Sequence, residues 1–526
     1  GTLCTTEPRS STLELELERG HSGPRQVTEA LAKVAVCRAT CNMVTTFRSG
    51  INLAKYCIGA GVLALPYATS KGGLLFGPIV IGVIAIWNIA ATQMMVECRN
   101  AVEGVELPAD LSSTYSKIAY AGAGRVGVLA TDFSIISLLV GVCIAFQITF
   151  ATLLSDIPSI PFNYQGMTII SGIIAFPLCC IEDLDSISVL SLAGMLCLVL
   201  GVGAILAHGF YAYGSETMQH PLSAPTGGLG GAALAMGPSS LNDMIIFLGV
   251  SIFCFDVCSL AFPVEESMAH PEEFMHAVGG SLLFVWVLYV VLGDVGAVLY
   301  VHDGNGIQEN ILSNLPVDTF VSLLVRWAMG CVGLMTFPIT LAPAAKMIEY
   351  YSVLDASCCL GATPPLASTP TRSYGTYGSV ADSDTTDEEM SPTVYGNSSG
   401  PSSPTSSIDY NRVVRWLNRL ILVIFTTAVA TYIPCFGSII SLLGGFTTTI
   451  LDFVLPPLLH LRIVGFGLVC RESIGSSTGP VVVPLSGPPK GSPYIVHRDL
   501  VLLIVGLIVC VVATSISILN IATSTC

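Results

Sequence analysis

A few polar or helix-breaking residues lie inside otherwise apolar stretches, and these are the residues that could do chemistry. The segment NLAKYCIGAGVLALPYA at 52–68 contains Gly59, Ala60 and Gly61, a triplet at which a helix can open. Opened backbone offers N–H groups to a carboxylate and carbonyl oxygens to a cation. Close packing of small residues against another helix is the alternative for this triplet.

Lys55 lies four residues before Gly59, which places both residues on one face of a helix. An ammonium group beside opened carbonyl oxygens could occupy the place of a sodium ion, and a buried lysine can exchange protons. In the alternative interpretation, the Lys55 side chain extends along the helix to the membrane surface.

Asp256 lies in a second such segment, FCFDVCSLAFPVEESM at 253–268. An ionisable group at membrane depth is costly, so it indicates a functional site. Asp256 could carry a proton, pair with a substrate amine, or accept structural hydrogen bonds. Glu265 and Glu266 are expected to be solvated at the end of this helix.

Asp452 and Arg326 are two further charged residues that lie deep within apolar stretches. Because an unpaired charge is disfavoured there, they could pair with each other or with Lys55.

The composition identifies the class of protein that must position these residues. The 526 residues are 52% hydrophobic and 11% charged, with a mean hydropathy of +0.73, whereas soluble chains carry about a quarter charged residues. The net charge of −15 argues against nucleic acid as a partner. The sequence motifs of P-loop ATPases, zinc-dependent hydrolases and serine hydrolases are missing. We therefore predict a multi-spanning membrane protein that is not an enzyme and needs no metal or other cofactor.

Apolar runs of about 20 residues predict eleven membrane spans, numbered here from the N-terminus. The predicted spans are 50–70, 74–98, 126–154, 163–181, 187–213, 242–263, 276–301, 320–343, 414–433, 437–461 and 499–520.

The basic residues predict the orientation of these spans. Eighteen of the 21 Lys and Arg residues fall in or beside segments on the side of the N-terminus, and only Lys71 falls in a segment on the other side. Because Lys and Arg are retained in the cytosol, this bias places the N-terminus there. Of the 18 cysteines, only Cys435 and Cys526 are then expected to face outward.

Two polar stretches separate the membrane domain into parts. Residues 1–47 form a tail and residues 355–410 form a loop rich in Ser, Thr, Pro and acidic residues, and both compositions predict cytosolic disorder. The spans then fall into 48–354 and 411–526. The 355–410 loop could be phosphorylated by kinases and act as a switch, or it could be a passive linker.

The chain resembles the amino acid/auxin permease family from about Asn52 to the last span. The two segments quoted above carry the resemblance, together with VLYVVLGDVGAVLYV at 287–301 and MTFPITLAPAAKMIE at 335–349. The segments YIPCFGSIISLLGGF and LDFVLPPLLHL, both within 432–461, complete the family order.

This resemblance implies an all-α, leucine-transporter-like fold with two inverted five-helix repeats, broken helices one and six, and an eleventh helix. The residues that it assigns to amino acid binding are the backbone of Gly59, Ala60 and Gly61 and the side chains of Phe253, Phe255, Asp256 and Ser259. It implies a transporter that alternates access by rocking one repeat against the other, although no glycine follows Asp256 at the expected opening of helix six.

Two sequence features give conflicting indications of the coupling ion. Lys55 and Asp256 resemble the lysine and the acidic residue of proton-coupled and vacuolar members, whereas Thr336 resembles the threonine used by sodium-coupled members. An ammonium at position 55 would repel a sodium ion, which favours proton-coupled amino acid symport. Sodium coupling and a non-transporting amino acid sensor are the alternatives. The membrane is expected to be the plasma membrane or a vacuolar or lysosomal-type membrane.

Overall fold

The computed structural model describes residues 46–108, 111, 113–180, 197–211, 235–301, 306–360, 406–471, 481–484 and 492–523, apart from 48, 52, 56, 198, 267, 269 and 270. Within these ranges, seven helical stretches are long and apolar enough to cross a membrane, and three further apolar helices are shorter. The predicted all-helical membrane fold is confirmed.

We number the helices α1 to α11 after the predicted spans and mark the halves of a broken helix a and b. They are α1a (46–57), α1b (Leu65–Gly72), α2 (Phe76–Val102), α3 (Thr114–Ser155), α4 (Tyr164–Cys179), α5 (Val199–Tyr211), α6a (Leu241–Cys254), α6b (Cys258–Glu266), α7 (Phe274–Tyr300), α8 (Phe320–Leu360), α9 (Ser406–Tyr432), α10 (Phe436–Gly465) and α11 (Pro493–Thr523).

The first and sixth helices are interrupted, as the resemblance implies. In α1 the backbone is extended at Gly59 (φ −116°, ψ −154°), and a 3₁₀ turn over Ala60–Ala64 then leads into α1b. In α6 the helix ends at Cys254, and Asp256 and Val257 are non-helical before α6b begins. Two helices that break at membrane depth leave main-chain groups available for ligands.

The tenth helix is continuous but alternates between α and π geometry. It is α-helical over Phe436–Leu443 and Leu455–His460 and π-helical over Gly444–Val454 and Leu461–Gly465. Wide π turns are rare and are frequently found at functional sites. Asp452 lies in the longer π-helical stretch.

The two broken helices pack at the centre of the bundle. A Cβ atom at Gly61 would lie 2.7 Å from the Cys254 Sγ, and one at Gly249 would lie 2.4 Å from the Ser441 Oγ. Any side chain at these positions would therefore separate α1 from α6a, or α6a from α10. Outside this centre, α3 packs along α8, α4, α9 and α10.

Three local features differ from the predictions. First, α3 begins at Thr114, because Ser113 caps it, and bends at Gly124 (φ 63°). Second, an antiparallel pair of strands, β1 (Leu468–Arg471) and β2 (Val481–Pro484), joins α10 to α11. Third, Cys435 is disulfide-bonded to a cysteine whose side chain is not among those described.

The predicted polar tail and loop fall mostly outside the described residues, which omit 1–45 and 361–405. The ends of the loop are helical, since α8 continues to Leu360 and α9 begins at Ser406.

Candidate functional site

The breaks in α1 and α6 are joined by one hydroxyl group from α7. The Tyr289 Oη lies 2.6 Å from the Cys57 carbonyl oxygen and 3.0 Å from the Cys254 carbonyl oxygen. Both carbonyls stand at the point where a helix ends and its last carbonyls lose their intrahelical partners. The side chain of Tyr289 is fully buried, and its single hydroxyl proton is shared between the two carbonyls. The Cys57 carbonyl also accepts the Gly59 N–H at 2.9 Å.

Gly59 is the most open point of the break in α1. No heavy atom of a described residue lies within 4 Å of a Cβ atom built on Gly59, whereas Gly61 is in close contact with α6a. The following 3₁₀ turn begins without a side-chain cap, so the first N–H groups of this turn have no intrahelical acceptor. The Gly59 N–H itself donates to the Cys57 carbonyl at 2.9 Å, whereas the N–H groups of Ala60 and Gly61 have no main-chain acceptor among the described residues. The open space at Gly59 therefore adjoins these two N–H groups at the predicted carboxylate site.

The two predicted aromatic residues of α6 have different surroundings. Phe253 is partly buried, and its ring lies against Gly61. Phe255 is fully buried, with its ring 5.2 Å from that of Tyr289 at an interplanar angle of 79°. Phe255 thus packs behind the hydroxyl that joins the breaks, and Phe253 lies at the helix contact beside them.

The predicted charged residues lie on either side of these breaks. Lys55 is partly buried in α1a and forms no ion pair or hydrogen bond with any described residue. Asp256 is partly buried in the non-helical segment of α6 and interacts electrostatically with the Cys57 side chain, which lies at the end of α1a. The side chain of Ser259 lies outside the described residues.

Thr336 is not part of this cluster of contacts. Its hydroxyl donates a hydrogen bond of 2.7 Å to the Val332 carbonyl in the preceding turn of α8. This is the usual way for a helical threonine to satisfy its hydroxyl in a membrane.

Arg326 and Asp452 do not pair, contrary to one sequence-based option. Arg326 donates to the Asp156 carboxylate at 3.1 Å and to the carbonyls of Leu153, Ser313 and Leu315. These acceptors are at the end of α3 and in the α7–α8 connection, so Arg326 is a structural anchor. Asp452 is fully buried elsewhere, in α10.

Glu265 was expected to be solvated and is not. Its side chain is 3% exposed and forms an ion pair with Arg99 of α2, while Glu266 accepts a 2.7 Å hydrogen bond from Thr114 of α3. The prediction failed because it used the position of Glu265 at a helix end, which says nothing about a cation supplied by another helix.

A buried histidine that sequence reasoning missed links α10 to α2 and α11. The His460 Nδ1 lies 2.5 Å from the Asp499 carboxylate, and its Nε2 lies 2.9 Å from the Glu97 carboxylate. Arg498 also contacts Asp499 at 2.8 Å. Each ring nitrogen therefore faces a carboxylate on a different helix. We call the Glu265 and His460 contacts together the tail-end network, because they lie at the end of the bundle where residue 46 is found.

The opposite end, here called the far end, is closed by fewer charges. Lys71 of α1b pairs with Asp243 of α6a at 3.4 Å, and the Glu309 carboxylate accepts the Gly437 N–H at the start of α10. Burial raises the pKa of Glu309 above its ordinary value, although the Gly437 N–H and Lys71 act in the opposite direction.

Tyr289 lies in the segment 287–301 that carries part of the family resemblance, but the sequence assigns no role to it. The available signal was a hydroxyl inside an apolar run, since a buried tyrosine hydroxyl usually has a partner. The partners themselves are main-chain atoms of other helices, which no side-chain pattern reveals.

Comparison with known proteins identifies the family of the chain. The family model described as transmembrane amino acid transporter protein matches residues 43–468. The amino acid transporter ANT1 of Arabidopsis thaliana is 24% identical over 431 residues, which cover 79% of this chain and 84% of the relative. The vacuolar amino acid transporter 4 of Saccharomyces cerevisiae is 24% identical over 422 residues, covering 78% of this chain but only 52% of the yeast protein.

A solved structure of a Na⁺-coupled sialic acid symporter aligns over 92% of this chain and 96% of its own, at 12% identity and a TM-score of 0.37. That likeness is too weak to support a conclusion. The family model, in contrast, covers most of the chain, including both helix breaks and Tyr289. The chain therefore belongs to the family of transmembrane amino acid transporter proteins.

Proposed function

We propose that this amino acid transporter is a proton-coupled symporter that works by alternating access. The observation that carries the proposal is the junction of two broken helices at Tyr289, with open space at Gly59 beside the uncapped start of the following 3₁₀ turn. Broken helices at the middle of a membrane protein are the usual place for an amino acid carboxylate and a coupling ion.

In this proposal the substrate carboxylate binds to the backbone at Gly59, Ala60 and Gly61. The substrate amine and side chain face the non-helical segment of α6, where Asp256 supplies a carboxylate and Phe253 an apolar surface. Ser259 is the remaining proposed contact, and Phe255 acts by supporting Tyr289. The positive end of the helical dipole at Ala60 favours an anionic group at this position.

The proposed coupling ion is a proton, and two features support it. The Lys55 ammonium lies on α1a, one turn before the break, where its charge opposes the binding of a sodium ion. The Thr336 hydroxyl is already bonded to its own helix. Asp256 and Lys55 are then the groups that connect protonation with substrate binding.

Alternating access requires the tail end and the far end to open in turn. The disulfide at Cys435, next to the far end, supports an orientation in which the far end faces an oxidising compartment and the N-terminus the cytosol. The vacuolar relative supports an acidic organelle as the location, although the plasma membrane is the alternative. Imaging of the tagged protein against plasma-membrane and acidic-organelle markers tests this placement.

Uptake into proteoliposomes tests the function. A panel of labelled amino acids is offered under an imposed pH gradient, an imposed sodium gradient, or neither. We expect uptake driven by the pH gradient in the wild type and its loss in Asp256→Asn and Lys55→Asn. Asp294→Asn, which removes another partly buried carboxylate from a membrane helix, is the matched control and should transport normally.

Two other outcomes would change the conclusion. Uptake driven only by sodium would return Thr336 to the ion site and overturn the role of Lys55. Saturable amino acid binding without flux under any gradient would identify a sensor.

A further inference from the structure

Asp452 of α10 is a fully buried carboxylate that the proposed function does not use. Its exposed fraction is 0%, and neither carboxylate oxygen has a hydrogen-bond partner of normal geometry. No described Lys, Arg or His lies within salt-bridge distance of it. A carboxylate in these surroundings is stable only if it binds a proton or a cation, because burial strongly disfavours the bare charge.

The Asp452 side chain faces the break in α6. Its nearest polar neighbours are the N–H groups of Val257 and Cys258 and the Cys258 thiol, which lie where α6b begins. It also interacts electrostatically with Asp256 across this break. Two carboxylates therefore lie at one helix break, one partly buried and one fully buried, and two adjacent carboxylates do not readily ionise together.

The backbone that carries Asp452 is held in place by other helices. The Trp87 indole N–H of α2 donates to the Asp452 carbonyl at 3.3 Å, and the Tyr115 hydroxyl of α3 donates to the Leu451 carbonyl at 2.7 Å. The ring of Trp87 also stacks on Phe453 at 4.8 Å. These side chains bond to main-chain carbonyls within the π-helical stretch, so α2 and α3 hold the main chain that carries the Asp452 carboxylate.

The surroundings contain other titratable groups but no described cation in contact. From α6 these groups are Asp256 and Cys258, from α1a Cys57, and from α3 Tyr115. Each of these groups is neutral when protonated and anionic when deprotonated. None of them can therefore neutralise the charge of an ionised Asp452. A proton on Asp452 itself is the simplest neutralisation, since the thiol and phenol are weaker acids than a carboxylic acid.

We propose that Asp452 is the residue that carries the coupling proton, with Asp256 as its partner at the substrate. This inference rests on the proposed proton coupling and assigns the proton to a specific group. A proton that enters from the far end forms an O–H bond on the Asp452 carboxylate. When the tail end opens, α6b moves away, water reaches Asp452, and the O–H bond breaks as the proton passes to water on that side. The empty transporter then returns with Asp452 deprotonated, and water that reaches the site when the far end opens supplies the next proton.

The variant that tests this assignment is Asp452→Asn, which keeps the shape and remains permanently neutral. We expect it to lose accumulation driven by the pH gradient, so that uptake falls to the level seen without a gradient. We expect it to retain exchange of internal for external amino acid, because exchange needs no net release of the proton. Asp452→Glu keeps a proton-binding group and should retain pH-driven uptake with a shifted pH dependence.

Separate outcomes address the two proposals. If the wild type shows no pH-driven uptake, proton coupling itself fails. If the wild type is driven by the pH gradient and Asp452→Asn still accumulates substrate, only the assignment to Asp452 is overturned. Loss of both exchange and accumulation in Asp452→Asn and Asp452→Glu alike would show a structural role and would also overturn it. Asp294→Asn, measured in parallel, should leave both activities unchanged.

Discussion

The two ends of the helix bundle are closed by different kinds of contact. At the tail end, each closing contact has a buried member: the side chains of His460 and Asp499 are 0% exposed and that of Glu265 is 3% exposed, although Glu97 and Arg99 are partly exposed. At the far end, the Lys71 side chain is 36% exposed, and much of the closure is by main-chain contact. There, the N–H groups of residues 74 and 75 donate to the carbonyls of Ala235 and Met236.

This difference indicates that the two ends resist opening unequally. Separating a buried ion pair leaves charges without partners and costs several kcal/mol, whereas exposed pairs contribute roughly 0–1 kcal/mol. The α1b–α2 turn at the far end is shaped instead by Gly73, whose φ of 92° and close approach to Gly237 leave no space for a side chain. We therefore expect charge changes to act strongly at the tail end and weakly at the far end.

The largest expected effect is the difference in stability loss between an Asp→Asn substitution at the tail end and one at the far end. Asp499→Asn removes the partner of the buried His460 and should destabilise the folded protein by about 3 kcal/mol. Asp243→Asn at the far end should cost less than about 1 kcal/mol, because both members of the Lys71–Asp243 pair are partly exposed and screened by solvent. Thermal unfolding of the purified proteins in one detergent compares them, and equal shifts in the midpoint would contradict the comparison.

A smaller effect is expected from Arg99→Gln, since Arg99 is one-third exposed while its partner is buried. Loss of the guanidinium leaves the Glu265 carboxylate without its cation, at a cost of about 2 kcal/mol. Amide hydrogen exchange should then rise in α6b and at the end of α2. Arg498→Gln removes a cation of similar exposure at the same end and is the control, with exchange in α6b expected to stay unchanged.

The Lys71–Asp243 pair should contribute the least of the charge contacts. Lys71→Met is expected to change stability by less than about 1 kcal/mol, because solvent screens this partly exposed pair. A double-mutant cycle with Asp243→Asn measures the pair itself. A coupling energy as large as that between His460 and Asp499 would remove the distinction between the ends.

The smallest expected effect is a pH dependence at the far end. The pKa of Glu309 is raised above its ordinary value of 4.5 in the folded protein. In the pH window just above 4.5, this carboxyl group is therefore protonated more often in the folded protein than in the unfolded chain. Its contribution therefore stabilises the fold below that window and is lost as the pH rises through it. Thermal midpoints measured across this pH range should show the dependence in the wild type and not in Glu309→Gln. An identical profile in both proteins would exclude Glu309 as its source.

Much of the fold could be predicted because its signals are local. Apolar runs located the membrane helices, because a span needs about 20 consecutive apolar residues. The triplet at Gly59–Gly61 located the break in α1, because glycine allows backbone conformations that end a helix. Asp256 was recognised by its depth in an apolar run. The strand pair β1–β2 and the early start of α3 were missed because short, polar or mixed segments carry little periodic signal.

The candidate site was predictable only in part. Its polar residues could be selected from the sequence, but their partners could not, as Arg326 and Glu265 show. Arg326 bonds to carbonyls of two distant segments, and Glu265 to a cation on α2. Such partners are fixed by how helices pack, and a list of charged residues does not distinguish among the pairings.

By itself, the sequence determined the class of protein, the approximate positions of its helices, and the places where the first and sixth could break. Only the tertiary structure decided that Tyr289 joins the two breaks, that His460 lies between two carboxylates, and that Asp452 faces the break in α6. The physical reason is that helix formation depends on residues within a few turns, whereas the environment of a buried charge depends on atoms far away in the chain.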